Sequence, residues 1–167
     1  MIRKILIANR GEIAIRVMRA CYEMGIRSVA VFSEADRTSR HVIYANEAEC
    51  IGPAPSSESY LCIEKIIEVA KKHKVDAIHP GYGFLSENSH LAERCLEEGI
   101  IFIGPRVEHL IMFGDKLNAR KQAELAQIPM IPGSKGTVSS IEEVLDFGEK
   151  FGYPIIIKAV NGGGGRG

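Results

Sequence analysis

A chain of 167 residues, 46% apolar and 25% charged, is long enough to bury one good core and part of a second. Its 21 Lys and Arg balance 21 Asp and Glu, which argues against a nucleic-acid surface or a polybasic membrane patch. No apolar run approaches about 18 residues, so no transmembrane helix is expected. The opening Met-Ile-Arg-Lys-Ile-Leu-Ile runs straight into patterned sequence, unlike a signal peptide. Four cysteines, Cys21, Cys50, Cys62 and Cys95, form no Cys-x-x-Cys pair and have no histidine at metal spacing. They read as reduced thiols of a cytoplasmic protein, with Cys21, Cys62 and Cys95 inside predicted helices.

Residues 3–8 are a short apolar run ending at Asn9-Arg10-Gly11, which predicts a buried strand and a turn. Ile13, Val17, Ala20, Cys21 and Met24 recur at helical spacing, and Gly25 is placed to end that helix. A second strand is expected over 28–33, a short helix over 41–45 and a brief third strand over 49–51. After a turn-rich loop at 53–57, Ser59 is expected to cap a helix from Tyr60 to about His73, with its stripe at Ile63, Ile66, Ile67 and Ala70. A fourth strand over 75–78, a loop over 79–88, a helix over about 89–98 closed by Gly99 and a fifth strand over 100–103 follow. Strands alternating with amphipathic helices imply an α/β fold, a Rossmann-like, doubly wound parallel sheet covered on both faces. The first strand–helix turn holds a single glycine, Gly11, so the dinucleotide fingerprint Gly-x-Gly-x-x-Gly is absent.

Residues 105–127 read as two helical segments with no strand between them, broken at Gly114, the second capped by Asp115. The expected organisation is a first domain over 1–104, a helical linker over 105–132 and a further subdomain beginning at 133. There Ser139 and Ser140 followed by Glu142 and Glu143 form a capping-box start for a helix to about Phe151. Ile155, Ile156 and Ile157 predict a strand carrying Lys158. Five glycines then occupy the last six positions, Gly162, Gly163, Gly164, Gly165 and Gly167, interrupted by Arg166. So dense a run either brings backbone N–H groups close to an anion, with Lys158 as a point charge for phosphate oxygens, or is a flexible linker beside a solvated lysine. It is not a Walker A loop, since the lysine precedes the glycines.

Three further places are chemically suggestive. In residues 79–88, His-Pro-Gly-Tyr-Gly-Phe-Leu-Ser-Glu-Asn, Tyr82 sits between two glycines directly after a strand, at the sheet edge where ligands of this fold class bind. A structural turn with Ser86 or Asn88 as a helix cap explains the same residues equally well. Glu12 with Arg16, and Arg19 with Glu23, have the spacing of surface ion pairs, and the second pair could instead face another subunit. Lys116 opens a helix, where a cation opposes the helix dipole; an anionic ligand would relieve the conflict, as would simple solvation.

Residues 7–14 (Ile-Ala-Asn-Arg-Gly-Glu-Ile-Ala), the block 79–88, Phe-Ile-Gly-Pro, Gly-Asp-Lys, and Ile-Ile-Lys-Ala with the terminal Gly-Gly-Gly-Gly-Arg-Gly together resemble the N-terminal part of biotin carboxylase. That is the ATP-grasp subunit or domain of biotin-dependent carboxylases. The likeness runs over residues 2–167 in order, and the glycine loop alone would fit other ATP-grasp ligases. It implies ATP with Mg2+ or Mn2+, bicarbonate, and biotin on a biotin carboxyl carrier protein as acceptor, by way of carboxyphosphate, with a carboxyltransferase downstream. Lys116 and Lys158 would then contact ATP phosphates, and Gly162, Gly163, Gly164, Gly165, Arg166 and Gly167 would form the flap over the triphosphate. Tyr82 and Gly83 would lie on the biotin side, and Arg19 and Glu23 would match a homodimer contact. The family's metal-binding glutamates, bicarbonate-binding arginine and catalytic base fall beyond the glycine loop, so the resemblance implies no catalytic or metal residue here and no turnover by these 167 residues alone. Another ATP-grasp ligase, or an inactive dimerisation or nucleotide-binding module, is the alternative. Which acyl acceptor is served, in fatty acid biosynthesis, pyruvate carboxylation or elsewhere, is not encoded in this module.

Overall fold

The computed structural model describes residues 1–134 and 136–158. The chain divides into two compact units, Met1–Leu110 and Ile111–Gly167.

In the first unit, strand β1 (Lys4–Ile7) leads to helix α1 (Gly11–Glu23), and β2 (Arg27–Ser33) to a single 3-10 turn, Glu34–Asp36. Helix α2 (Arg40–Tyr44), strand β3 (Glu47–Gly52), helix α3 (Ile63–Lys72), strand β4 (Ala77–His79), helix α4 (Ser89–Glu97) and strand β5 (Ile101–Phe102) follow. Helix α5 (Val107–Gly114) starts in this unit. The sheet order is β3-β2-β1-β4-β5 and every pairing is parallel, with Leu6 opposite both Val29 and Ile78. This is the doubly wound arrangement expected from the alternation of strands and helices.

Successive strand residues point to opposite faces. Ile5, Ile7, Ala30 and Ala77 pack on one face against Ala14, Val17, Met18 and Cys21 of α1. Leu6, Val29, Val31 and Ile78 pack on the other against Ile66, Ile67 and Ala70 of α3 and Leu91 and Cys95 of α4. Because both faces are covered, the central strands read as unbroken apolar runs instead of alternating ones. Burial of a side chain such as Leu6 or Ile78 contributes about 1.5–3 kcal/mol each. Burial also pushes the Cys95 thiol up to about 11, which keeps it an inert core residue. All four cysteines are free; Cys21 and Cys95 are buried, whereas Cys50 and Cys62 are half-buried.

Three expectations need correction. Helix α3 begins at Ile63, not Tyr60, and Ser59 does not cap it. The Ser59 hydroxyl donates instead to Pro55 O at 2.8 Å, while Tyr60 turns into the core. The third strand begins at Glu47, two positions early, because Glu47 and Ala48 pair with Val29 and Ala30. Residues 155–158 form no strand. A strand exists only through its ladder partner, and among the described residues of the second unit there is none.

The described part of the second unit holds helix α6 (Lys116–Leu125) and helix α7 (Ile141–Phe151). Asp115 caps α6 as expected, accepting from Asn118 N at 2.8 Å. At α7, Ser140 Oγ accepts from Glu143 N at 3.2 Å, and the Glu143 carboxylate accepts from Ser139 N at 3.2 Å, close to the expected reciprocal cap. Among the described residues no helix is long and apolar enough to cross a membrane.

Candidate functional site

The strand order reverses between β1 and β4, since β1 continues to β2 on one side and β3 crosses back to β4 on the other. Ligands of open parallel sheets bind beyond the carboxyl ends of strands at such a switch point. Two stretches meet there: the turn at residues 9–12 after β1 and the block 79–88 after β4. They are joined by Asn9, 3% exposed, whose Nδ2 donates to Pro80 O and to Tyr82 O, both at 2.8 Å.

Nearly every residue of the 79–88 block has a structural task. His79 Nδ1 accepts from Gly81 N at 3.0 Å, and burial lowers the His79 pKa, which favours the neutral ring this bond requires. Gly81 has φ +69°, and a Cβ there would lie 2.6 Å from Asn9 Nδ2, so both conformation and space demand glycine. Gly83, at φ +65°, has open space around it and is required for conformation alone. The Phe84 ring stacks on Tyr60 with centroids 5.1 Å apart and planes 7° from parallel. Leu85 is buried in the core, and Asn88 caps α4 by accepting from Leu91 N at 3.1 Å. Tyr82, like Glu87, is left to solvent. Its side chain is 65% exposed and, among the described residues, makes no hydrogen bond or ring contact. The fold therefore fixes the backbone on both sides of a phenol that it does not itself use.

Beside this loop lies a charged cluster that sequence reasoning missed. Asp36, 4% exposed, accepts from Arg10 Nε at 2.6 Å, from Arg10 Nη2, from Tyr60 OH at 2.6 Å, from Ser39 Oγ at 3.1 Å and from Ser33 Oγ at 3.4 Å. The Arg10 guanidinium is the main reason that the Asp36 carboxyl titrates far below the usual carboxylate range, and Arg10 is held correspondingly high. Burial, then the hydrogen bond to Asp36, raises the Tyr60 phenol. An acidic group after the second strand holds the ribose in dinucleotide-binding sheets. Here both Asp36 oxygens are committed to protein donors, which agrees with the missing glycine fingerprint. The only sequence signal for Asp36 was an acidic residue in a polar loop, and Tyr60 and Arg10, which bind it most closely, stand 24 and 26 residues away.

The remaining expected residues are placed as follows. Arg19 and Glu23 lie exposed on α1 but form no ion pair with each other, nor do Glu12 and Arg16; each side chain is left to solvent. Arg19 lines a shallow groove with Ile15, Arg40, Ile43 and Tyr44. In the second unit Lys116 is the first residue of α6 and half-buried, and Lys158 is exposed in coil. Gly162, Gly163, Gly164, Gly165, Arg166 and Gly167 lie outside the described residues. Among the described residues no group of three or more His, Cys, Asp or Glu could hold a metal ion.

Residues 1–110 match the family model described as biotin carboxylase, N-terminal domain. The chain belongs to this family. Residues 115–167 match the model described as carbamoyl-phosphate synthase L chain, ATP binding domain. The chain is 62% identical over 167 residues to pyruvate carboxylase of Bacillus subtilis, covering 99% of this chain and 14% of that protein. It is 52% identical to biotin carboxylase 1 of the same organism, covering 100% of this chain and 37% of that one. A solved structure of the biotin carboxylase domain dimer of Hydrogenobacter thermophilus 2-oxoglutarate carboxylase, in complex with MgADP, ADP and bicarbonate, superposes with a TM-score of 0.90 at 47% identity. That match covers 99% of this chain and 36% of the other. The chain thus spans well under half the length of these biotin carboxylase relatives, and the switch-point loops above belong wholly to the biotin carboxylase N-terminal domain.

Proposed function

We propose that the protein carrying this chain carboxylates biotin on a carrier protein, using ATP and bicarbonate by way of carboxyphosphate. The reading is carried by the 79–88 loop, which holds the phenol of Tyr82 exposed on a backbone fixed by the fold, inside a domain of the biotin carboxylase family. Tyr82 and Gly83 are assigned to the biotin side, Lys116 and Lys158 to the ATP phosphates, and residues 162–167 to the flap that excludes water from the intermediate. The Hydrogenobacter domain was solved with MgADP and bicarbonate, which supports ATP with Mg2+ as the energy source; Mn2+ is a substitute of the same kind.

That domain is also a dimer, and the exposed Ile43 and Tyr44 beside Arg19 give α1 and α2 a face suited to a homodimer contact, with Glu23 exposed on the same helix as Arg19. A biotin carboxyl carrier protein and a carboxyltransferase are the proposed partners, in the cytoplasm. The domain division 1–104, 105–132 and 133–167 is proposed on the same basis.

The experiment is ATP cleavage by the whole protein with bicarbonate, with and without free biotin. Stimulation by biotin is expected; its absence refutes the reading. A second reading, another ATP-grasp ligase, draws on the carbamoyl-phosphate synthase match over 115–167, and formation of a carbamoyl product without biotin would favour it.

A further inference from the structure

We infer that Asn9 is a positioning residue for the biotin-side loop, setting where the Tyr82 and Gly83 backbone is presented to a cyclic urea. The inference rests on the biotin carboxylase reading of that loop.

The backbone ladder between β1 and β4 runs out where Ala8 N donates to His79 O at 2.9 Å. Beyond that rung β1 turns toward α1 and the second chain enters the 79–88 loop, so Pro80 O and Tyr82 O have no strand to face. Asn9 continues the ladder with its side chain: the two hydrogens of Nδ2 go to these two carbonyls, each at 2.8 Å. Its amide cannot be turned over. Asn9 Oδ1 accepts from Arg10 N at 2.9 Å, and the flipped amide would set an oxygen against two carbonyl oxygens. The close approach of Gly81 to Asn9 Nδ2 shows that the loop is shaped around this side chain.

None of its nearest relatives in shape or chemistry fits. Aspartate has the shape but no N–H, leucine has the bulk but no donor, and glutamine is one methylene too long. A second anchor lies two residues beyond Tyr82, where Phe84 rests on Tyr60 and Tyr60 OH on Asp36. Tyr82 is held between the two, with the nearer constraint, on its own carbonyl, made by Asn9. The Asn9 side chain is 3% exposed and points into the protein. It therefore acts on a ligand only through the loop.

The test uses the whole carboxylase. With Asn9→Ala and Asn9→Asp, the ratio of biotin-stimulated to biotin-independent ATP cleavage is expected to fall by about tenfold to a hundredfold, with a raised KM for biotin. Asn9→Asp should be the worse of the two, since it turns attraction into repulsion at both carbonyls. Equal loss of both rates, or an unchanged ratio, overturns the inference. A wild type that biotin does not stimulate overturns the functional reading and this inference with it, so the two failures are distinguishable. If the variants do not fold, wild-type NMR decides: couplings across hydrogen bonds from Asn9 Nδ2 to the Pro80 and Tyr82 carbonyl carbons are expected, and their absence overturns the inference.

Discussion

The Tyr60 hydroxyl donates to the Asp36 carboxylate at 2.6 Å, tying the loop before α3 to the turn after β2. Ser33 N in turn donates to the Tyr60 oxygen at 3.0 Å, so a buried phenol is satisfied as both donor and acceptor. Replacing Asp36 with Asn removes the charge that holds Arg10 and puts an N–H among donors. Because Arg10 is half exposed, the expected loss is about 2 kcal/mol, below that of a fully buried pair. Urea denaturation should show a lower midpoint at constant slope. Asp36 titrates below its unfolded value near 4, so its contribution is complete above that pH and lost as the pH falls through the folded value. The Asn variant should lack that part of the acid sensitivity.

Two histidines should respond to pH with opposite signs. His73 lies 2.9 Å from Glu47 and 3.0 Å from Glu49, and these carboxylates raise its pKa. Its contribution, about 1 kcal/mol, is fully present below the unfolded value near 6.5 and lost as the pH rises through the folded one. The destabilisation of His73→Gln relative to wild type should therefore be larger at pH 6 than at pH 9.

His41 is wholly buried, and burial lowers its pKa. Asp36 favours its charged form and Arg10 opposes it, each less than burial does. A group with a depressed imidazole pKa stabilises the fold above the unfolded value and loses that contribution as the pH falls. Thermal melts of wild type and His41→Gln between pH 7.5 and 5 should show the wild type losing more of its stability than the variant does. Parallel curves would show that the ring titrates alike in the folded and unfolded states.

Gly81 and Gly83 are both left-handed but should not be equally sensitive. Gly83→Ala meets open space, so only backbone strain of about 1 kcal/mol is expected. Gly81→Ala adds a Cβ 2.6 Å from Asn9 Nδ2 and should cost at least about 1 kcal/mol more. Equal denaturation midpoints for the two variants would contradict this difference.

Lys116→Met and Lys158→Met, made in the whole protein, should each weaken ATP binding by about tenfold or more, read by calorimetric titration. Affinity unchanged in the double variant would refute the proposed role of both lysines at the ATP phosphates.

The layered sheet was legible because its centre is covered twice: residues 5–8 and 29–32 had to be apolar throughout. Caps written locally, such as Asp115 and Ser140, were legible too. Ser59 misled because its cap pattern competes with Tyr60, whose partner Asp36 is 24 residues back. Asn9 looked like a turn residue because the carbonyls it serves lie 71 and 73 positions further on. Ile155–Ile157 have the β-branched character of a strand, but character supplies no ladder partner.

The two margins of the sheet differ from its centre. β5 has only two residues, Ile101 and Phe102, too few unpaired backbone groups to seed an intermolecular ladder. At the opposite margin β3 carries Glu47 and Glu49, cross-linked to Lys4, Lys72 and His73, so an incoming strand would meet charged side chains already locked in place. One border is too brief and the other too guarded to recruit a stray chain, which should let this half of the molecule be handled at high concentration without forming fibrils.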